Sequence, residues 1–291
     1  MRKPLFTGSC VAIVTPFTED GVDWGKLEEL VEWQIASGTD AIVTCGTTGE
    51  SSTMPDEEHM AVMKFTIGKV AGRVHVMANT GSNDTRHAIQ LTKYAESIGA
   101  DSILSVTPYY NKTTQEGLYR HFSTIAENTG LPVVLYNVPS RTNLDIAPAT
   151  LARLAEVPNI VGVKECNLLH VPEVMALTDK LTFWSGEDGL IVPLLSLGGQ
   201  GVISVMANLI PRQTHDMVHA WFAGDHQRAR DLQIAAIPLV QALFCETSPI
   251  PIKEAMNLAG MNVGQCRMPL VEMSAEGRAR LQKAMQSYGL L

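Results

Sequence analysis

No apolar run in the 291-residue chain approaches the ~18 residues that a bilayer-crossing helix needs, so nothing in it reads as a membrane span. Cysteine is sparse and unpaired: Cys10, Cys45, Cys166, Cys245 and Cys266 are odd in number and contain no C-x-x-C spacing. That pattern argues against a disulfide framework and fits a reduced, cytoplasmic chain. Positive charge is also short. The 22 Lys and Arg against 30 Asp and Glu leave a net charge of -8, which excludes the basic face of a general nucleic-acid binder. There is no low-complexity segment, no Gly/Ser linker and no G-x-G-x-x-G opening a helix. Gly198-Gly199-Gln200-Gly201 lacks the lysine and hydroxyl of a phosphate loop and reads as a tight turn. Met1-Arg2-Lys3 is basic and the stretch to Cys10 faintly resembles a lipoprotein cleavage site, but its apolar part is too short for a signal sequence.

What is present is an ordinary globular composition, 45% hydrophobic and 18% charged, with length enough for a full core. Eight short β-branched runs recur: Cys10–Thr15, Ala41–Cys45, Val74–Ala78, Ser102–Val106, Val133–Tyr136, Ile160–Lys164, Leu181–Trp184 and Val202–Val205. Each is continuously apolar, as a strand covered on both faces should be. Helix signals fill the intervals. Asp23 precedes a stripe at Leu27, Leu30, Val31 and Ile35; Pro55 leads three acids; Thr113-x-x-Glu116 reads as a capping box; Gly72, Gly99 and Gly130 stand at expected helix ends. Eight strand–helix units predict an α/β fold, a (β/α)₈ TIM barrel over residues 1–224, in preference to a doubly wound open sheet. Beyond residue 224 the strand pattern stops. Asp225–Cys245, Pro251–Leu258 and Ser274–Ser287 predict a C-terminal helical region, 225–291, packed on the barrel.

Barrels of this kind carry chemistry at the C-terminal ends of their strands. Lys164 closes one such run. With alternation, Ile160, Gly162 and Lys164 share a face, and Gly162 leaves space beneath the lysine. Facing inward, its amine would be desolvated, its pKa lowered and its nucleophilicity toward carbonyls raised. Facing outward, it would reach water or pair with Glu165. Tyr136 ends the neighbouring run and reads either as a proton relay or as a buried phenol capping a strand end. Thr47 and Thr48, between Gly46 and Gly49, can hold a carboxylate or merely form a turn. Arg141 follows Pro139-Ser140 and suits a bidentate carboxylate pair, though a lone surface arginine would look the same. His215 and His219 sit at i and i+4 and imitate a zinc helix. Asp216 stands at the base position, however, and no third ligand is evident, so no metal is expected.

In combination, Gly-Thr-Thr-Gly-Glu (46–50), Tyr-Asn-Val-Pro-Ser-Arg-Thr (136–142) and Val-Lys-Glu (163–165) resemble the class I, lysine-dependent pyruvate aldolase family typified by N-acetylneuraminate lyase. The resemblance covers the whole chain. It implies a barrel with a C-terminal helical part, usually a homotetramer built from tight dimers. It also implies a pyruvate imine on Lys164 and no cofactor. Tyr136, Thr47 and Tyr110 would form a proton relay, Tyr110 reaching in from a neighbouring subunit. Thr48 and the backbone of Ile203 would hold the pyruvate carboxylate, and Gly186 would line the site. Arg141 would hold the carboxylate of L-aspartate 4-semialdehyde, which favours the branch serving diaminopimelate and lysine biosynthesis over aldolases that cleave 2-keto sugar acids. A non-catalytic keto-acid sensor is the remaining alternative. Ser51, His59, Asn83 and Tyr109 match positions of an effector pocket for lysine. There His87 replaces an acid and Asp56 a histidine, so weak or absent lysine inhibition is expected. The segment Cys166-Asn167-Leu168-Leu169-His170 departs from the family's usual small residue, hydroxyl and glycine and is a few residues short.

Overall fold

A strand apolar on both faces can satisfy its backbone only by pairing on both edges, and these runs do so in a closed ring. The computed structural model describes residues 3–291, so Met1 and Arg2 of the basic start lie outside it. Its strands are β1 (Gly8–Ala12), β2 (Phe17–Thr18), β3 (Gly21–Val22), β4 (Ala41–Thr44), β5 (His75–Asn79), β6 (Ser102–Val106), β7 (Val133–Asn137), β8 (Ile160–Glu165), β9 (Thr182–Ser185) and β10 (Gly201–Ser204). β2 and β3 form a small antiparallel hairpin. The other eight are parallel and close in the order β1-β10-β9-β8-β7-β6-β5-β4. The fold is therefore the (β/α)₈ barrel, and the open sheet is excluded.

Helices follow the barrel strands at Trp24–Ala36, Asp56–Val70, Thr85–Ser97, Gln115–Glu127, Pro148–Leu154, His170–Leu177, Ile191–Ser196 and Pro211–Phe222. Asp23 caps the first, accepting from the Lys26 amide at 2.9 Å, a cap worth about 1 kcal/mol. Its stripe of Leu27, Leu30 and Val31 is buried, each such side chain contributing about 1.5–3 kcal/mol. The capping box expected from Thr113 is displaced by one residue. Thr114 caps Gln115–Glu127 through the Gly117 amide at 3.1 Å. The Thr113 hydroxyl instead lies 1.9 Å from where a Cβ on Gly117 would be, so glycine there makes room for it. The first barrel strand is also earlier than its apolar run suggests. It ends at Ala12 because the Val14 amide turns to the side chain of Asn208, at 3.0 Å, and leaves the ladder.

Two apolar layers result. Inward-facing Cys10, Ala12, Val43, Met77, Leu104, Val134, Trp184 and Ile203 fill the barrel, with Phe6 stacked on Trp184 as a plug at 4.9 Å. A larger layer lies between the strands and the helices. Three further helices, His226–Leu243, Ile250–Leu258 and Ala275–Tyr288, pack on the last barrel helix and on one another. Gln233 ties them to the barrel by donating to the Asp188 carbonyl at 2.9 Å and accepting from the Val192 amide at 3.1 Å.

Candidate active site

The C-terminal strand ends gather most of the residues singled out above. β7 and β8 pair with Tyr136 opposite Lys164 and Asn137 opposite Glu165. The register shifts between Val133 and Val134, so the face is not the simple alternation expected. Ile160 packs in the outer layer, Val161 in the inner one, and Gly162 and Lys164 point inward. A bulge re-aims a side chain in this way. Nor does Gly162 leave an empty space. A Cβ there would lie 2.6 Å from the Trp184 ring and 2.5 Å from the Thr182 carbonyl, because the indole occupies that volume.

Lys164 is buried, only 6% exposed, with its amine 4.2 Å from the centre of the Tyr136 ring. Burial pulls its pKa below the usual lysine value, partly opposed by Cys166, Cys10, Asp188 and Glu187. Pairing with Glu165 does not occur. That carboxyl points away and accepts from Asn137 at 2.9 Å and from the Asn167 amide at 2.7 Å; burial raises its pKa to about 8. Burial also pushes the Tyr136 phenol well above its ordinary value, so it keeps its proton near neutrality.

One cavity of about 310 Å³ is lined by Lys164, Tyr136, Thr47, Thr48, Arg141, Gly186 and Glu187, together with Phe244, Glu246, Thr247 and Ser248 from the C-terminal region. Thr48 is buried and Thr47 half-buried at the turn after β4. Gly49 lets that turn close: a Cβ on it would meet the Ile13 carbonyl at 3.1 Å. Arg141 donates to the Ser248 carbonyl at 3.1 Å, which holds the guanidinium at the mouth. Gly186 must be small, since a Cβ there would come within 2.4 Å of the Cys166 sulfur and 3.3 Å of the Lys164 stem. Cys166, the first residue after β8, thus shares the space at Gly186 with the lysine stem. Ile203 lies deep in the barrel wall, and the turn after it is held by Asp188, which accepts from the Val205 and Met206 amides at 3.1 and 2.8 Å.

Tyr110 is not brought to Lys164 within this chain. It is 92% exposed and left-handed, at φ 69°. A bulky residue in that region is strained, which the surrounding loop must sustain. Most of the residues expected to form an effector pocket border a second cavity of about 380 Å³ that shares Thr47, Tyr136, Val138 and Arg141 with the first. Ser51, His59, His87 and Tyr109 border it, while Asn83 donates to the Tyr109 carbonyl at 3.1 Å behind the wall. His59 bonds the Asn79 carbonyl through Nε2 at 3.0 Å, and burial lowers its pKa. His87 meets Asp56 at 2.9 Å, so the exchanged acid and imidazole face each other across this cavity.

Two contributors had not been singled out. Glu50 ends the Gly-Thr-Thr-Gly-Glu turn with φ 58°, and its carboxylate bonds Lys253 at 2.8 Å and the Arg267 amide at 2.8 Å. Trp184 forms the floor beneath Lys164. A lysine set among Ile250, Ile252 and Met256 was a signal for a buried ion pair, but nothing local named its partner 203 residues away.

Comparison with known proteins agrees with this geometry. The model of the dihydrodipicolinate synthetase family matches residues 5–288. The 4-hydroxy-tetrahydrodipicolinate synthase of Acetivibrio thermocellus is 58% identical over 292 residues, covering 100% of both chains. A solved dihydrodipicolinate synthase superposes with a TM-score of 0.96 at 47% identity, covering 98% of this chain and 100% of that one. The Aquifex aeolicus dihydrodipicolinate synthase structure does so at 0.95 and 44%, covering 98% and 99%.

Proposed function

The chain belongs to the dihydrodipicolinate synthetase family, and from that premise we propose how its buried lysine works. The activity is that of a lyase, 4-hydroxy-tetrahydrodipicolinate synthase, which condenses pyruvate with L-aspartate 4-semialdehyde in diaminopimelate and lysine biosynthesis. The observation that carries the mechanism is the Lys164 amine, buried at the strand ends with no carboxylate in ion-pair range among the described residues.

A desolvated amine is neutral for a larger share of the time and attacks the pyruvate keto carbon; water leaves and a protonated imine forms on Lys164. The imine draws electrons from the methyl carbon, a proton departs and an enamine results. The enamine adds to the aldehyde carbon of the semialdehyde. The substrate's own amine then attacks the imine carbon, closing the ring and releasing Lys164. No cofactor is required, because lysine itself supplies the electron sink. Tyr136, protonated and beside the amine, relays protons with Thr47. Tyr110 completes the relay from a neighbouring subunit; its exposure in a single chain fits that role, and a homotetramer of tight dimers would supply the partner. Thr48 and the Ile203 backbone hold the pyruvate carboxylate, Gly186 leaves room for the imine, and Arg141 binds the carboxylate of the semialdehyde. These steps take place in the cytoplasm.

Intact mass after mixing with pyruvate and borohydride, followed by peptide mapping, tests the reading. One reduced pyruvyl adduct on Lys164, absent in Lys164→Ala, is the expected result. A folded chain that takes no adduct would overturn it. Lysine acts weakly on this chain, because the Asp56 carboxylate is already engaged by His87 when an ammonium arrives. Half-inhibition at submillimolar lysine in a steady-state assay would show otherwise.

A further inference from the structure

At the opposite end of the barrel, where the strands begin, the fold assembles three donors that chain order keeps apart. Asp40 immediately precedes β4, and His215 and His219 lie one turn apart on Pro211–Phe222. One donor atom from each lies within 4.8 Å of the others. The third side chain that the His-x-x-x-His pair lacked in the sequence is thus Asp40. His219 Nε2 is 3.0 and 3.1 Å from the two Asp40 oxygens. That is about the separation of two ligand atoms that share an ion at ~2.0–2.2 Å from each. The two imidazoles are stacked, ring centres 3.9 Å apart and planes at 20°, so His215 must turn for its nitrogen to reach an ion shared with His219 and Asp40.

The surroundings hold these donors close to one another. His215 Nδ1 meets Asp216 Oδ1 at 3.0 Å, which leaves Nε2 free to face a ligand, and a carboxylate behind an imidazole is the usual support for a metal-bound histidine. Asp40 Oδ2 accepts the Ser9 amide at 2.8 Å, fixing the carboxylate against β1. The neighbouring cations are occupied elsewhere: Arg228 reaches Asp216 at 3.5 Å and Arg212 donates to the Ala36 carbonyl at 3.3 Å. All three donors are partly exposed, so an ion can enter from solvent.

We propose that Asp40, His215 and His219 bind a divalent late first-row transition-metal ion, Zn²⁺ above all, in a site separate from the Lys164 chemistry. Two imidazoles and one carboxylate suit such ions and leave positions for water. On binding, the proton shared between His219 and Asp40 passes to solvent and the ion takes its place, while His215 swings in to complete the set. The ion clips the helix after β10 to the start of β4 and, through Ser9, to β1. These are the strands at which the ring closes. Binding to the folded state alone raises thermal stability.

Calorimetric titration of the chelator-stripped full chain with Zn²⁺ tests this, alongside His215→Gln and His219→Gln. The wild type should take one equivalent per chain with a Kd in the micromolar range and a raised Tm. Each variant should weaken binding by at least about 10-fold, the share of one lost ligand. Bound Co²⁺ should show visible absorption in the wild type that His219→Gln abolishes. Pyruvyl adduct formation should be the same in all three proteins, which separates this site from the catalytic reading. A wild type that binds no Zn²⁺ tighter than about 100 μM, or variants that bind it unchanged, would overturn the proposal.

Discussion

Lys164 and Lys253 are both buried, and in each desolvation is the largest influence drawing the amine below the ordinary lysine pKa. Each also lies over an aromatic ring, Tyr136 at 4.2 Å and Phe17 at 4.5 Å. What separates them is the counter-charge. Lys253 meets the Glu50 carboxylate at 2.8 Å and the Gln265 carbonyl at 2.9 Å. It therefore remains an ammonium that ties the C-terminal region to the turn carrying Thr47 and Thr48. Lys164 has Asp188 and Glu187 nearby but none in contact, and it opens on a cavity. The same side chain under the same burial becomes an anchor where a carboxylate is within reach and, in the function proposed here, a nucleophile where none is.

Exchanging the two residues for methionine is the strongest way to break the comparison. Lys164→Met should lower kcat by at least ~10³-fold, since no other group supplies the imine, while thermal unfolding shows stability unchanged or improved. A large loss of stability there would mean the amine has a structural partner. Lys253→Met should do the reverse. It leaves the buried Glu50 carboxylate without its ammonium and still held by the Arg267 amide, at a cost of about 3–5 kcal/mol in urea unfolding, yet the adduct on Lys164 still forms. Adding Glu50→Gln should restore most of that loss.

Arg141 supplies a third case, a guanidinium held at the cavity mouth by the Ser248 carbonyl. Arg141→Ala should raise the KM for the semialdehyde by about 10- to 100-fold, the value of one charged hydrogen-bonded pair, with pyruvate little affected. Equal losses for both substrates would remove its assigned role. The smallest effect is in pH. Because the folded-state pKa of Lys164 is lowered, burying its charge destabilises the fold below that pKa, and the penalty fades as pH rises toward the ordinary lysine value. Lys164→Met should therefore gain most stability at low pH. Adduct formation in the wild type should climb with pH and level off below pH 10.5, the ordinary lysine value. A rise only near that value would mean the amine is not perturbed.

The sites differ in how far they could be read from the chain. Lys164, Tyr136, Thr47, Thr48, Arg141 and Gly186 each stand at or just after a strand end, and parallel strands of a closed barrel all end on one face. Naming the strands was therefore enough to group these residues. Strand ends alone did not disclose the packing below Lys164, because the Trp184 ring reaches Gly162 from the neighbouring strand β9, whose register against β8 no local pattern gives. The one-residue displacement of the cap at Thr114 has a similar origin, a local choice between two adjacent threonines that patterning does not resolve.

By itself the sequence determined the barrel, since eight doubly apolar runs with helices between them have few other ways to satisfy their backbones and bury their faces. It also determined which amine, phenol and guanidinium stand at the reacting end. Tertiary structure alone decided the charge state of each buried lysine, because Glu50 and Lys253 are 203 residues apart and only the packed C-terminal helices bring them together. It alone gathered Asp40 to His215 and His219, and it alone left Tyr110 facing outward. Periodicity records which face a side chain is on; what it meets there is set by the register and closure of distant segments, and no local pattern encodes those.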